Sequence, residues 1–173
     1  MSASPDTYAQ EAALKLDSQL CFKVYALNHL IGRAYRPLLE RLGLTYPQYL
    51  ALLALWETSP LGVGELGARL RLDSGTLTPL LKRMEAAGLV TRRRSADDER
   101  RVEIALTPEG VALKARAASI PGELACRIPD DAFRDFEEFH RLSARLQRLI
   151  ESFADALEAE PAAPARIPEE SVP

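Results

Sequence analysis

A helix followed by a charged hairpin, over residues 72–106, is the feature that most constrains how this chain can fold. Asp73 is a favoured residue at the N-cap of a helix, and Gly88 is typical of the position after a helix C-terminus. The apolar residues between them have the spacing of one buried stripe: Leu77, Leu80, Leu81 and Met84. The opposite, exposed face carries small, hydroxyl and basic residues: Ser74, Gly75, Thr76, Pro79, Lys82 and Arg83.

The hairpin is predicted from two segments, 89–93 and 102–106, in which apolar and polar residues alternate around a polar turn at 94–101. Seven basic and four acidic residues lie between Lys82 and Arg101. A charged hairpin is often only a solvated surface. After a helix that exposes hydroxyl and basic groups, it favours binding to double-stranded DNA, because these groups bond to phosphates and base edges. The candidate basic contacts are Lys82, Arg83 and Arg94.

Three helices are predicted before this unit, over residues 17–42, 47–57 and 63–70, with a kink at Pro37 in the first. The third helix and the helix after Asp73, the recognition helix, form a helix-turn-helix. The predicted fold class is therefore mainly α with a small β-hairpin wing: a winged helix-turn-helix that dimerises through its N- and C-terminal helices.

Further helices are predicted after the hairpin. Thr107 and Pro108 are typical of a helix start, Pro121 and Gly122 interrupt that helix, and helical periodicity resumes over residues 131–157. The first and last helices carry long apolar stripes, formed by Leu16, Leu20, Val24, Leu27 and Ile31 and by Phe133, Phe136, Phe139, Leu142, Leu146, Leu149, Ile150 and Phe153.

These stripes exceed what a small winged-helix core can cover, so they predict a homodimer. Packing of the end helices within one chain is the alternative. A twofold dimer presents its two recognition helices about one DNA turn apart, so the predicted target is an inverted-repeat operator.

The length of 173 residues and the hydrophobic content of 47% suit one ordinary domain. We predict a flexible N-terminus at 1–13, a single domain at 14–157 and a disordered tail at 158–173. Within the domain, the winged helix spans about 46–107 and the dimerisation helices about 17–42 and 108–157. The net charge is −3, but residues 1–20 carry −2 and residues 151–173 carry −5, which leaves +4 for residues 21–150. The absence of a basic-then-apolar leader and of a long apolar run predicts a cytoplasmic protein without membrane contact.

The chain has two cysteines, Cys21 and Cys126, about a hundred residues apart, and neither lies near His29 or His140 in the sequence. This spacing argues against a metal site, and no cofactor is predicted.

A lone intracellular cysteine is most often a small buried apolar residue. Asp17 is predicted to cap the first helix, which would place Cys21 near the positive end of a helix dipole that favours a thiolate. Tyr35 is on the same face but fourteen residues further on, roughly 21 Å along a straight helix, so it cannot reach Cys21 of its own chain, whereas an antiparallel partner helix could bring it close. A peroxide oxidises such a thiolate to a sulfenic acid, which condenses with a thiol, and Cys126 is the other thiol of the chain.

Four segments carry a resemblance: LDSQLCF at 16–22, TYPQYLALLALWE at 45–57, LDSGTLTPLLKRME at 72–85 and RRRSADDERRVEIALTPEG at 92–110. Together they resemble the MarR family of winged-helix transcriptional regulators, specifically the two-cysteine branch of its organic-hydroperoxide-sensing OhrR type. The resemblance covers residues 14–155. The cysteine in LCF, the TYPQY run and Pro79 distinguish this type from other members of the family.

The resemblance implies roles at the matching positions. Cys21 would be the peroxide-reactive cysteine, and Tyr35 and Tyr46 of the partner subunit would hydrogen-bond to it. Cys126 would be the resolving cysteine, which forms a disulfide with Cys21 of the other subunit.

For DNA binding, the resemblance implies that Ser74 and Thr76 contact the major groove. Arg100 would enter the minor groove from the wing tip, with Asp98 holding it in place.

The function implied is a repressor that binds its operator when reduced and releases it when organic hydroperoxide oxidises Cys21. Two alternatives remain open. A MarR-type repressor could instead be released by a small phenolic or aromatic ligand, and a thiol peroxidase could use the same cysteine in turnover. An enzyme is not predicted, because the sequence offers no catalytic groups beside Cys21 except tyrosines and the wing would have no role.

Overall fold

The computed structural model describes residues 14–95, 101–128 and 135–159. Its helices are α1 (Leu20–Leu39), α2 (Tyr46–Glu57), α3 (Val63–Leu70), α4 (Ser74–Ala86), α5 (Pro108–Ala117), α6 (Ile120–Arg127) and α7 (Phe136–Ala159). Its strands are β1 (Leu61–Gly62), β2 (Val90–Arg94) and β3 (Val102–Leu106). Two short 3-10 turns, Leu16–Ser18 and Glu40–Leu42, lie on either side of α1. The described residues are therefore mainly helical with one small sheet, which confirms the predicted mainly α fold with a β-hairpin wing; dimerisation through the end helices stays a prediction.

The helix boundaries follow from local capping groups. The Asp73 carboxylate accepts a hydrogen bond from the Thr76 backbone N–H at 2.8 Å, which starts α4 after Asp73 as predicted. Gly88 has a positive φ of 71°, which suits glycine and ends this segment. The Thr107 hydroxyl accepts from the Gly110 backbone N–H at 3.0 Å and begins α5.

The predicted cap at Asp17 is wrong. Asp17 lies in the first 3-10 turn, and α1 begins at Leu20 with Gln19 at the cap position. The turn forms because the backbone N–H groups of Ser18 and Gln19 donate back to carbonyl groups three residues earlier, at 3.0 Å each. Cys21 is nevertheless in the first turn of α1.

The predicted interruption at Pro121 and Gly122 is also displaced. Helix α5 ends at Ala117 and α6 begins at Ile120, so both residues lie inside α6. Proline is tolerated in the first turn of a helix, where its missing N–H would have no intrahelical partner. Residues 129–134, which contain the predicted start of the last helix, lie outside the described residues.

The sheet has the antiparallel order β1-β3-β2. The predicted hairpin is present, with Val90 paired to Leu106 and Arg94 paired to Val102. The Ser95 N–H donates to the Arg101 carbonyl at 2.9 Å and continues the ladder toward the turn. The two-residue strand β1, in which Leu61 pairs with Ile104, is too short for a periodic pattern and was not predicted.

The core lies between the helices and this sheet. Helix α4 contributes its predicted stripe, and all four residues are at most 3% exposed. The other fully buried large side chains come from every neighbouring element: Leu38, Leu39, Tyr49, Leu52, Leu55, Leu66, Ile104 and Ile120.

The chain divides into two compact units, one ending at Leu124 and one beginning at Ala125. In the first unit, the N-terminal half of α1 leaves its apolar residues in solvent, with Leu20 57%, Val24 48% and Leu27 47% exposed. In the second unit, α7 likewise exposes apolar side chains along its length: Phe139, Leu142, Leu146, Ile150, Phe153 and Leu157. Across the described residues, no helix is both long and apolar enough to cross a membrane.

Candidate DNA interface and cysteine sites

The outer face of α4 is open to solvent along its whole length. Six residues on this face are exposed, as the periodicity predicts: Ser74, Gly75, Thr76, Pro79, Lys82 and Arg83. The buried stripe holds the opposite face against the core, so the outer face is rigidly presented. This arrangement suits a helix that enters the major groove.

The start of α4 has a fixed pattern of hydrogen bonds. Besides the Thr76 backbone N–H, the Thr76 hydroxyl donates to the Asp73 carboxylate, at 3.1 Å. These bonds hold the pKa of Asp73 below its ordinary value, so the carboxylate is charged at neutral pH. The Thr76 hydroxyl proton is thus already used, so toward a further partner the Thr76 oxygen acts as an acceptor.

The base of the wing lies directly beside α4. Arg93 and Arg94 are exposed on β2. The Arg92 N–H donates to the Glu85 carboxylate of α4 at 3.2 Å, and the Arg101 guanidinium lies 3.5 Å from the Glu65 carboxylate of α3.

The wing tip, residues 96–100, lies outside the described residues. The predicted minor-groove residue Arg100 and its predicted support Asp98 both belong to it.

The two cysteines are exposed free thiols. Cys21 is the second residue of α1, in the first unit, and Cys126 is the seventh residue of α6, in the second unit.

Tyrosines form a cluster where the C-terminal half of α1 meets α2. The Tyr35 and Tyr46 rings stack with centroids 4.7 Å apart, and the Tyr49 ring lies 5.7 Å from Tyr35. Burial, together with Tyr46 and Tyr49, raises the pKa of Tyr35 from 10.0 to about 12. Burial also raises the pKa values of Tyr46 and Tyr49. All three phenols therefore keep their protons at neutral pH and can donate hydrogen bonds.

Sequence reasoning selected Tyr35 and Tyr46 but missed Tyr49 and Trp56, which extend the cluster. The Tyr49 and Trp56 rings lie 6.3 Å apart in an edge-on arrangement. The Trp56 indole N–H donates to the Gly110 carbonyl at 2.8 Å, and the Lys114 ammonium donates to the Trp56 carbonyl at 3.1 Å. A tryptophan that is partly buried needs an acceptor for its indole N–H. The presence of Trp56 is therefore the one sequence signal for a hydrogen bond such as that to Gly110.

Gly110 in turn contacts the junction between the recognition helix and the wing. A side chain at Gly110 has no room, because the Leu89 carbonyl oxygen occupies its place. Thr107 donates its hydroxyl to the Gly88 carbonyl at 2.6 Å and its N–H to the Leu89 carbonyl at 3.1 Å. Contacts therefore run without a break from Tyr35 to the residues that join α4 to β2.

Comparison with known proteins identifies this architecture. The sequence profile of the MarR family matches residues 44–102. The organic hydroperoxide resistance transcriptional regulator of Bacillus subtilis is 48% identical over 139 residues, which cover 80% of this chain and 92% of that protein. The chain belongs to the MarR family. It is a transcriptional regulator of that family and not an enzyme.

Two solved structures of AbfR, a protein of Staphylococcus epidermidis, are similar to this MarR-family chain. Reduced AbfR bound to DNA has a TM-score of 0.69 and 32% identity, and the match covers 84% of this chain and 99% of AbfR. Disulfide-formed AbfR has a TM-score of 0.54 and 34% identity, with 83% and 98% covered.

Proposed function

We propose that this MarR-family regulator is a cytoplasmic, homodimeric repressor that senses organic hydroperoxides. The reduced dimer binds an inverted-repeat operator in double-stranded DNA. Oxidation of Cys21, followed by a disulfide to Cys126 of the other subunit, releases the operator. The exposed thiol of Cys21 in the first turn of α1 is the observation that carries this proposal.

DNA binding is supported by the outer face of α4. Hydroxyl and basic side chains are exposed on a helix whose other face is fixed in the core, and basic residues of β2 lie beside it. Ser74 and Thr76 form hydrogen bonds with base edges, whereas Lys82, Arg83 and Arg94 contact phosphates. Arg100 and Asp98 are assigned to the minor groove by the family resemblance alone.

A homodimer is supported by the apolar side chains that α1 and α7 leave in solvent. About half of the Leu20, Val24 and Leu27 side chains is exposed, although these residues share one face of α1. Contiguous apolar surface of this kind is normally covered by another protein surface. A second copy of the chain offers the same face and is the simplest cover.

The sensing chemistry follows from the two thiols. The Cys21 thiolate attacks one peroxide oxygen, the O–O bond breaks, and an alcohol leaves after taking a proton, which gives a sulfenic acid. The Cys126 thiol of the other subunit then attacks the Cys21 sulfur, a disulfide forms and water leaves. The partner subunit's Tyr35 and Tyr46 donate hydrogen bonds to the thiolate beforehand; burial raises the pKa of both phenols, so each keeps the proton that it donates.

Release needs a route from Cys21 to the DNA-binding residues. Oxidation of the thiolate ends its hydrogen bonds with Tyr35 and Tyr46. Tyr35 contacts Tyr49, Tyr49 contacts Trp56, and Trp56 is hydrogen-bonded to Gly110 beside the α4–β2 junction. The covalent cross-link stabilises a dimer shape that the operator does not fit, because only a difference in stability between two shapes can shift the binding equilibrium.

The proposal is tested with wild-type protein and with the matched single variants Cys21→Ser and Cys126→Ser. Each is treated with a stoichiometric organic hydroperoxide and examined by non-reducing electrophoresis and operator binding. Wild type should form a cross-linked dimer and release DNA, whereas Cys21→Ser should do neither. Cys126→Ser should form a Cys21 sulfenic acid without the cross-link. Release from Cys21→Ser on hydroperoxide treatment, or release of wild type by a phenolic ligand alone under reducing conditions, would overturn the redox mechanism.

A further inference from the structure

We propose that Arg71, in the turn between α3 and α4, is a DNA phosphate contact. The inference rests on the proposed DNA binding and adds to it a residue that neither the helical periodicity nor the family resemblance selected. Three observations support it: the left-handed backbone conformation of Arg71, the exposure of its side chain without a partner among the described residues, and its position just before the recognition helix.

Arg71 has a left-handed backbone conformation, with φ 53° and ψ 40°. It lies just after α3, where the Leu72 N–H donates to the Gly67 carbonyl at 3.0 Å and closes a Schellman-type end. Glycine is favoured at such a position, because a Cβ atom raises the energy of this conformation. The other positive-φ residues of the described chain are both glycines, Gly43 and Gly88. Arginine therefore occupies a position where glycine would have the lower backbone energy.

No contact within the described chain explains this arginine. Its side chain is exposed and forms no hydrogen bond or ion pair with any described residue. Two other arginines of this region do have acidic neighbours: Arg69 lies 3.5 Å from Glu57, and Arg101 lies 3.5 Å from Glu65. The guanidinium of Arg71 is thus available to a partner outside the chain.

The position of Arg71 points to phosphate as that partner. Arg71 precedes the Asp73 cap by two residues, and α4 follows at once. In a helix-turn-helix, the N-terminal residues of the recognition helix reach base edges while the preceding helix crosses the DNA backbone. The turn between them therefore faces the phosphates at the edge of the groove. A guanidinium there also offsets the repulsion between phosphates and the charged Asp73 carboxylate.

The test compares Arg71→Gly and Arg71→Lys with wild type, using full-length reduced protein, operator DNA and unrelated DNA at several salt concentrations. Arg71→Gly should melt at the wild-type temperature or above it. Its affinity should nevertheless fall on the order of tenfold for both DNAs, and the slope of log affinity against log salt should decrease by about one per subunit. Arg71→Lys should keep the wild-type slope, because it keeps the charge.

Arg69→Gln is the control, since it removes a nearby arginine that already has an acidic neighbour, and its salt slope should match wild type. An unchanged slope with a lower melting temperature in Arg71→Gly would overturn the inference and assign Arg71 to stabilising the C-terminal end of α3. DNA binding by wild type would then leave the proposed function standing. Failure of wild type to bind any DNA would overturn both.

Discussion

Helices α4 and α1 have the same kind of apolar stripe but very different surroundings. The four stripe residues of α4 are at most 3% exposed, whereas Leu20, Val24 and Leu27 of α1 are about half exposed. The difference shows that helical periodicity identifies an apolar face, but not whether the rest of the chain covers that face. For α4 the cover is the rest of the winged helix, whereas the N-terminal half of α1 stays exposed in the described chain.

Helix α1 contains both situations within twenty residues. At its C-terminal end, Leu38 and Leu39 are fully buried in the core, and Tyr35 is partly buried beside α2. At its N-terminal end, Cys21 and its apolar neighbours Leu20 and Val24 are exposed. The helix therefore joins the buried core to an exposed apolar surface, and Cys21 lies at the exposed end.

The largest expected effect comes from replacing the same residue type on the two sides. Leu81→Ala removes a 1% exposed side chain of α4, so we expect the free energy of unfolding to fall by about 2–5 kcal/mol, from lost burial and the cavity left behind. Leu27→Ala should leave the fold intact and raise the dimer dissociation constant by about tenfold. Urea denaturation and analytical ultracentrifugation distinguish the two results. A large loss of stability in Leu27→Ala without any change in association would show that the two stripes do not differ in this way.

A smaller effect is expected at Trp56, which lies between the tyrosine cluster at the C-terminal half of α1 and the α4–β2 junction. Trp56→Phe keeps an aromatic ring beside Tyr49 but removes the hydrogen bond to Gly110. Loss of one neutral hydrogen bond is worth about 1 kcal/mol, so the ratio of operator affinities between reduced and disulfide-linked protein should fall several-fold. The extent of cross-linking by hydroperoxide should stay at the wild-type level. An equal loss of affinity in both redox states would mean that Trp56 only supports the fold.

The smallest effect concerns Tyr35 at alkaline pH. Its pKa is about 12 in the folded chain against 10.0 for the ordinary side chain. The neutral phenol is thus favoured by folding, so this contribution is fully present below pH 10 and is lost as pH rises toward 12. Because the side chain is only partly buried, the loss should not exceed about 1 kcal/mol. Unfolding experiments across this range should show a smaller decline for Tyr35→Phe than for wild type, and an identical decline would contradict the assignment.

The recognition helix and the hairpin could be predicted closely because their signals are local. Asp73 and Gly88 mark the ends of α4, and alternation marks the strands almost to the residue. The start of α1 could not be read this way, since Gln19 is not a typical cap and Asp17 is. The two-residue strand β1 forms only because β3 offers it a partner from a distant part of the chain.

The candidate site likewise contains residues that local patterns predict and residues that depend on contacts between distant parts of the chain. The exposed face of α4 follows from periodicity, so Ser74, Thr76, Lys82 and Arg83 could be selected from the sequence. The stacking of Tyr35 on Tyr46 and the bond from Trp56 to Gly110 depend on how separate elements pack. The left-handed conformation of Arg71 could not be predicted either, because arginine, unlike glycine, does not favour this backbone conformation.

Trp56 is the only tryptophan of the chain. Its indole is anchored by one hydrogen bond at the place where the tyrosine cluster meets the α4–β2 junction. The chain therefore carries a single natural fluorophore at this position, with the Tyr49 ring 6.3 Å away and able to transfer excitation to it. Its emission gives an optical signal of the state of the junction in unlabelled protein, so any rearrangement there on addition of DNA or of a peroxide can be followed in solution as it happens.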